Sequence, residues 1–244
     1  MIYLDIETCS GFKDYYLADK RTQDLWYLKF RHLVLEALAK NPIINESEFV
    51  NVMYKDKAAL YSEFNKIVCV SLGMVVQDKE TKTDKLHIKS SSSDNEIDIL
   101  RDIATAIKSA DTLVGHNGKA FDFPMLSRKY LIHGLQLPVL LQNSGRKPWE
   151  VPLIDTQEMW KFGDLRYTVS LDQLAMVFNL PSPKANMHGS QVGEYYYSGR
   201  LKEIVNYCEL DVATLINVHR KMIGQPIVTE LHGGEPEKQE ELFK

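Results

Sequence analysis

Two carboxylates lie close together near the start of the chain, at Asp5 and Glu7. They interrupt an otherwise apolar, β-rich segment over residues 2–7, which predicts a strand. At this spacing both side chains point to the same face of the strand, about 6–7 Å apart along it. Carboxylates inside such a segment are costly unless a cation neutralises them, so the pair is a candidate metal site. The spacing alone is common, since Asp94 and Glu96 repeat it, and a solvated face on an edge strand is the alternative.

A second motif follows the apolar segment that ends at Gly115, and its core is Asn117 with Phe121 and Asp122. In this composition, an Asn followed four residues later by Phe-Asp is expected by chance only about 0.03 times, so the pattern is specific. We predict that Asp122 lies at the start of a helix. An acid at that position can also be structural, because it interacts favourably with the helix dipole.

A third motif, Tyr207 with Asp211, lies inside the last predicted helix. Residues at i and i+4 share one face of a helix, so the two side chains can reach the same site. The apolar neighbours Leu210 and Val212 argue against simple exposure of Asp211. Glu209 is offset by two positions, and we predict that it is a solvated surface residue.

The composition is that of a globular domain with a full hydrophobic core. The chain has 244 residues, of which 44% are hydrophobic and 25% charged, and its net charge is −4. That charge provides no general attraction to polyanions, so nucleic acid would need a local basic patch. The three cysteines lack the paired spacing of a zinc site, and we expect buried, reduced thiols. We find neither a signal peptide nor an apolar membrane span and expect a cytoplasmic protein.

Hydrophobic periodicity predicts a mixed-sheet α/β domain over residues 1–223. Residues 12–58 read as a helical insertion, and the acidic residues 224–244 read as a flexible tail. Asp155 follows a short apolar segment, where a helix N-cap is a simpler role than an accessory acid. The predicted strands are 2–7, 67–76, 85–89 and 112–115, and the predicted helices include 94–110, 120–132, one opening at Ser170 with a capping box, and 199–223.

In order along the chain, the three motifs resemble those of ribonuclease H-like 3′–5′ exonucleases with four catalytic carboxylates. The similarity is strongest to the proofreading exonuclease domain of family B DNA polymerases and its stand-alone bacterial relatives, and it covers residues 1–8 and about 60–222. A sister subgroup has histidine five residues before the last acid, but Asn206 stands there, so the subgroup with tyrosine fits better. The resemblance implies a central mixed five-stranded sheet flanked by helices on both faces.

The resemblance also implies a metal-dependent mechanism with two Mg²⁺ or Mn²⁺ ions. Asp5, Glu7 and Asp211 would hold the ion that activates the nucleophile, and Asp5 would bridge to the second ion. Asp122 would lie close by or act through water. Tyr207 would orient the attacking water, because a side chain with a pKa near 10 is a poor general base at neutral pH.

The expected substrate is the 3′ end of a single strand, DNA in the first place, with Asn117 and Phe121 holding the terminal nucleotide. For each charged loop residue, ordinary surface charge is the better interpretation. The loop residues that could line a groove for the strand are Lys119, Arg128, Arg146, Lys147, Trp149, Lys161, Arg166 and Lys184.

Other functions stay open at this point. An exoribonuclease or an enzyme that trims oligonucleotides would have the same motifs. A catalytically silent nucleic-acid-binding module would not need four acids, and endonucleolytic ribonuclease H activity does not use the tyrosine motif. A replication or repair protein could recruit the domain, but the sequence identifies none.

Overall fold

The computed structural model of the protein describes residues 1–182 and 187–232. Its strands are β1 (Ile2–Ser10), β2 (Asn65–Gln77), β3 (Asp84–Ser92), β4 (Leu113–Gly115) and β5 (Leu153–Asp155). They form one sheet in the order β3-β2-β1-β4-β5. The β1–β2 and β2–β3 pairs are antiparallel, whereas β1–β4 and β4–β5 are parallel. The predicted five-stranded mixed sheet is therefore confirmed, with β1 at its centre.

Helices surround this sheet. They are α1 (Lys20–Lys40), α2 (Glu46–Lys57), α3 (Glu96–Ala106), α4 (Asp122–Ile132), α5 (Thr156–Lys161), α6 (Leu171–Val177), α7 (Val192–Tyr197) and α8 (Leu201–Met222). The Ser170 hydroxyl accepts a hydrogen bond from Gln173 N, and the Gln173 side chain bonds back to Ser170 N, so the predicted capping box opens α6.

Side chains of β1 alternate between two hydrophobic cores, one on each face of the sheet. The even-numbered residues from 2 to 6 pack with α3 and α4 on one face. Tyr3 packs with α8 on the other face. Because side chains of a strand alternate with a period of two, Asp5 and Glu7 share the face of Tyr3 and point toward α8.

One glycine allows α8 to approach the sheet closely. A Cβ at Gly73 in β2 would lie 2.5 Å from Val212 Cγ1 and 2.9 Å from Ile216 Cδ1. Any side chain at residue 73 would therefore push α8 away from β2. This packing fixes the distance between β1 and the motif residues of α8.

The segment 12–58 is helical, and α1 and α2 pack on each other around a core of their own. Trp26 and Tyr54 are fully buried there, together with Phe30 and Val34. The aromatic rings meet edge to face, with Trp26 and Tyr54 centroids 5.1 Å apart. This core joins the sheet at Phe64, just before β2.

The chain after α8 differs from the predicted flexible tail over residues 224–232. Val228 is buried, and its backbone N and O bond the side-chain amide of Asn217 at 2.8 and 2.9 Å. Leu86 N donates to Glu230 O, and His232 N donates to Leu86 O, both at 2.7 Å. The edge strand β3 thus gains a backbone partner, which is the physical reason that these residues pack on the domain. Residues 233–244 lie outside the described part of the chain.

Over the described ranges, none of the helices combines the length and apolarity needed to cross a bilayer.

Candidate active site

The acids of the first motif lie where the order of the strands reverses. Within the sheet, β2 lies along one edge of β1, and β4, which comes later in the chain, lies along the other edge. β4 pairs with β1 only at Ile2 and Tyr3, so no strand of the described residues lies beside this edge of β1 from Leu4 onward. In open α/β sheets, ligands bind in the crevice outside the carboxyl ends of the strands at such a reversal. Asp5 and Glu7 are placed there by β1.

Asp122 closes this free edge of β1. It is the first residue of α4, as predicted, and its Oδ1 accepts a hydrogen bond from Ile6 N at 3.2 Å. This bond takes the place of a strand pairing that β4 is too short to make. The second motif is therefore tied directly to the first, and the Asp122 carboxyl is buried beside Asp5.

A tight turn between β4 and α4 sets the position of Asp122. Asn117 has a left-handed backbone with φ of 57°. Its N and the N of Lys119 donate to the two carboxylate oxygens of Asp155 at 2.9 and 3.0 Å. Asp155 also caps the start of α5, so the N-cap role is correct. A Cβ at Gly118 would lie 2.9 Å from Phe123 Cε2, so the turn packs against α4 too closely for any larger residue.

The third motif reaches the same place from α8. Tyr207 and Asp211 are only 6% and 8% exposed. Burial raises the pKa of the Tyr207 hydroxyl, and the neighbouring charges of Asp211, Glu7 and Asp5 raise it further. The structure thus brings together the four acids and the tyrosine that the sequence singled out, although they come from three separate parts of the chain.

Burial and mutual repulsion oppose ionisation of these acids. Burial raises the pKa of Asp5, and the charges of Asp211 and Asp122 raise it further. Burial raises the pKa of Glu7 as well, and the charges of Asp5 and Asp211 raise it further. Burial raises the pKa of Asp122 to about 7, even though backbone hydrogen bonds oppose the rise. Such a cluster favours either protons or a bound cation.

The donor atoms fit a divalent metal ion. Oxygen atoms of Asp5 and Glu7 and the sulfur of Cys208 all lie within 4.8 Å of one another. The Glu7 side chain is 7% exposed, and its carboxylate makes no hydrogen bond to the described residues. Hard cations such as Mg²⁺ and Mn²⁺ prefer carboxylate oxygens. A largely buried acid that makes no hydrogen bond to the described residues is an observation that a metal would explain.

The two residues predicted to hold the terminal nucleotide lie in the turn before α4. The side chain of Asn117 is exposed. Phe121, the residue before Asp122, is half-buried and packs against the core on the α3 and α4 face of the sheet. Both lie in the turn that leads to Asp122, and their contacts with a nucleotide stay a prediction.

The prediction that Glu209 is a solvated surface residue is wrong. Glu209 is 3% exposed, and its Oε1 accepts a hydrogen bond from Ser90 Oγ at 2.8 Å. The side chain lies over β3, because α8 packs so closely on the sheet that more than one face of the helix is covered.

Cys208 is the residue at the site that sequence reasoning missed. We expected a small buried hydrophobe, and the residue is indeed fully buried. However, its sulfur lies 3.3 Å from Asp5 Oδ2 and 3.5 Å from Asp5 O. Its position three residues before Asp211, on the same side of α8, was the available signal.

Two of the basic loop residues contact neighbouring side chains. Lys119 pairs with Glu158 at 2.7 Å, and the Lys147 ammonium lies 5.4 Å from the centre of the exposed Trp149 ring. Lys184 lies outside the described residues. These contacts agree with ordinary surface charge for Lys119, while Trp149 offers an open aromatic face.

The chain matches a known protein family over most of its length. Residues 58–224 match the model of a family described as "Predicted 3'-5' exonuclease related to the exonuclease domain of PolB". The chain belongs to this family. The matched range contains Asp122, Tyr207 and Asp211, whereas Asp5 and Glu7 precede it and are joined to it by the pairing of β1 with β2. Membership supports nuclease activity on nucleic acid with a divalent metal. No curated protein matches the sequence.

A solved structure also matches the fold. The chain is similar to the family B DNA polymerase from the hyperthermophilic archaeon Pyrobaculum calidifontis, with a TM-score of 0.52 and 14% identity. The match covers 91% of this chain and 24% of the polymerase chain. At this identity the similarity concerns the fold alone, and the ribonuclease H-like fold is confirmed.

Proposed function

We propose that the protein is a metal-dependent 3′–5′ exonuclease that hydrolyses phosphodiester bonds at the 3′ end of single-stranded DNA. The observation that carries the proposal is the meeting of half-buried Asp5 with buried Glu7, Asp122 and Asp211 in one cluster at the strand-order reversal. Four acids in one place are costly for the fold and have a use when they hold cations.

Asp5, Glu7 and Asp211 are the proposed ligands, and Asp122 acts beside them. Two Mg²⁺ or Mn²⁺ ions, when bound, would supply a nucleophilic hydroxide at neutral pH and neutralise the charge on the leaving 3′ oxygen. The protein contributes the rigidity of this arrangement. β1 holds two of the acids in line, and the hydrogen bond from Ile6 N fixes the rotation of the Asp122 carboxyl.

Tyr207 is proposed to orient the attacking water. Its raised pKa keeps the hydroxyl protonated at neutral pH. A protonated hydroxyl donates one hydrogen bond and accepts another, so it can fix the position of a water molecule but cannot remove its proton.

Cleavage assays test the proposal directly. A 5′-labelled single-stranded DNA and an RNA of the same sequence are incubated with Mg²⁺, with Mn²⁺ or with a chelator, using wild type and Asp122→Ala. We expect a metal-dependent ladder that shortens from the 3′ end, with the variant at least about 10³-fold slower while it still binds the strand. RNA cleaved in preference to DNA would favour the exoribonuclease alternative. Binding of both strands without cleavage under any condition would favour a silent binding module.

The partners and the cellular location stay predictions. Nothing in the described residues identifies a replication or repair partner, and the cytoplasmic location rests on the sequence alone.

A further inference from the structure

The Cys208 thiol is aimed at the same space as the proposed metal ligands. Its sulfur lies 3.3 Å from Asp5 Oδ2, because Cys208 is on the part of α8 that faces β1. The side chain is completely buried, so solvent does not compete for it. Three donor atoms of two chemical types, from Asp5, Glu7 and Cys208, therefore lie within 4.8 Å of one another.

This spacing suits a tetrahedral ion. Zinc binds carboxylate oxygen at about 2.0–2.2 Å and thiolate sulfur at about 2.3 Å, so its ligand atoms lie between 3 and 4 Å apart, on the order of the separation seen here. Glu7 supplies an independent indication, because it is more than nine-tenths buried and its carboxylate has no hydrogen-bond partner among the described residues. A buried free carboxylate beside a buried thiol is a donor set for a cation.

The chemical type of the third donor decides which cation. Carboxylates alone favour Mg²⁺ and Mn²⁺, whereas a thiolate selects softer ions. We propose that Asp5, Glu7 and Cys208 form a site for a thiophilic divalent ion, Zn²⁺ or Cd²⁺, which competes with Mg²⁺ and Mn²⁺ for the same carboxylates. On binding, a metal–sulfur bond replaces the S–H bond, and the thiol proton leaves to solvent.

Binding of the ion does not depend on the proposed function, but its effect, inhibition of cleavage, rests on it. An ion held by Cys208 occupies Asp5 and Glu7 in a position set by the sulfur. Three of the four positions of a tetrahedral ion are then taken by protein, so the ion leaves fewer positions for water and substrate than an octahedral ion held by oxygens alone. Zn²⁺ and Cd²⁺ are therefore inhibitors of the proposed exonuclease.

The test uses Cd²⁺ as the probe and ultraviolet absorbance as the readout. Cadmium bound to a thiolate gives a sulfur-to-metal charge-transfer band that carboxylates do not give. The reduced, full-length wild type is titrated with Cd²⁺ in parallel with Cys208→Ser and with Cys69→Ser. Cys69 is the matched control, because it is equally buried and its thiol neighbours that of Cys208.

We expect a saturable band of one Cd²⁺ per chain in the wild type, its retention in Cys69→Ser, and its loss in Cys208→Ser. Added Mg²⁺ shifts the Cd²⁺ titration to higher concentration, because both ions need Asp5 and Glu7. Thermal melts verify that the variants fold, and Cys208→Ala repeats the test if the serine variant does not. A band that survives in Cys208→Ser, that vanishes in Cys69→Ser, or that is absent from wild type overturns the proposal.

A second arm follows cleavage of labelled DNA in Mg²⁺ with increasing Zn²⁺. Cys208→Ser is expected to need at least 10-fold more Zn²⁺ than Cys69→Ser for half inhibition, and equal sensitivity counts against the site. The absorbance arm does not depend on activity. A protein that shows the band but cleaves nothing would contradict the exonuclease and support the metal site. A protein that cleaves DNA but lacks the band would support the exonuclease and contradict the metal site.

Discussion

Two buried groups of charged side chains lie near β1, and they are built in opposite ways. On the face of α3 and α4, Glu96 is 8% exposed and fully compensated. Its Oε1 accepts from Ile67 N at 2.5 Å and pairs with Lys129 Nζ at 3.3 Å, and its Oε2 lies 2.6 Å from His133 Nε2. Lys129 in turn donates to Asn65 O at 2.5 Å.

In the second group, three acids have no basic side chain to compensate them among the described residues. Asp5, Glu7 and Asp122 form no ion pair with a basic residue anywhere in residues 1–182 and 187–232. Their pKa values are raised by burial and by one another. The charge of Glu96 is thus compensated within the protein, while the acid cluster needs protons or a bound cation to compensate its charge. Compensation, and not burial, separates a structural acid from a functional one here.

The largest expected effect is on catalysis. Asp5→Asn removes a proposed ligand and one of the mutually repelling charges, so we expect cleavage at least about 10³-fold slower, a loss of roughly 4 kcal/mol in transition-state stabilisation. The metal-free variant should unfold at the same or a higher temperature than wild type, because repulsion is relieved. Single-turnover cleavage and calorimetry measure the two quantities.

Asp111→Asn is the control for this substitution, since that acid is exposed on the loop before β4. Its rate should equal that of wild type. A variant at Asp5 that is both slower and clearly less stable would mean that the acid has a structural role.

At Glu96 we expect the opposite result, a loss of stability without a loss of cleavage rate. Glu96→Gln leaves the Lys129 ammonium buried without its counter-charge, which typically costs about 3–5 kcal/mol. Denaturant unfolding should show this loss, while the cleavage rate of the folded fraction stays close to wild type. Asp98→Asn, an exposed acid on the same helix, should change stability by less than about 0.5 kcal/mol.

The acid cluster also predicts how stability depends on pH. Asp122 has a pKa of about 7 in the folded protein, whereas free aspartic acid titrates near 4. Between these values the folded state holds more protons than the unfolded state, so the free energy of unfolding of the metal-free protein falls as pH rises. Each such carboxyl contributes up to about 1.4 kcal/mol per pH unit.

Urea unfolding at pH 5.5 and pH 8 measures this decline. Asp122→Asn should reduce it, and saturating Mn²⁺ should offset it, because bound cations favour the ionised acids. Stability of the metal-free wild type that rises over the same pH range would contradict the raised pKa values.

The smallest effect is expected at Tyr207. Tyr207→Phe removes only the hydroxyl, so the metal ligands stay in place and the attacking water loses one hydrogen bond. We expect kcat about 10-fold lower with an unchanged metal requirement. Measuring the rate against Mn²⁺ concentration separates the two effects, and a large increase in the Mn²⁺ needed would indicate that Tyr207 shapes the metal site itself.

Much of the fold could be read from local sequence. The alternation of β1, the apolar run of β2 and the periodicity of α8 come from side chains that bury one face, and each element lies where that periodicity placed it. The order of the strands and the meeting of the three motifs came from the family resemblance, since no local pattern contains them.

The failures share a physical cause. Glu209 is a polar residue buried against Ser90, and residues 224–232 are largely exposed but are held by backbone hydrogen bonds to Leu86 at the edge of β3. Both partners lie far away in the chain. Cys208 was assigned by its burial alone; its spacing of three residues from Asp211 was a local signal, but only the fold shows that its sulfur contacts Asp5 of β1. Partners at long range decide these cases, and a single sequence does not contain them.

The most direct test of the central claim compares a linear and a circular single-stranded DNA of the same sequence in Mg²⁺. The linear strand is labelled at its 5′ end in one sample and at its 3′ end in another. We predict immediate release of the 3′ label as a mononucleotide, gradual shortening of the 5′-labelled strand, and an intact circle, all abolished by chelator. Cutting of the circle, or release of the 5′ label first, would contradict a 3′–5′ exonuclease.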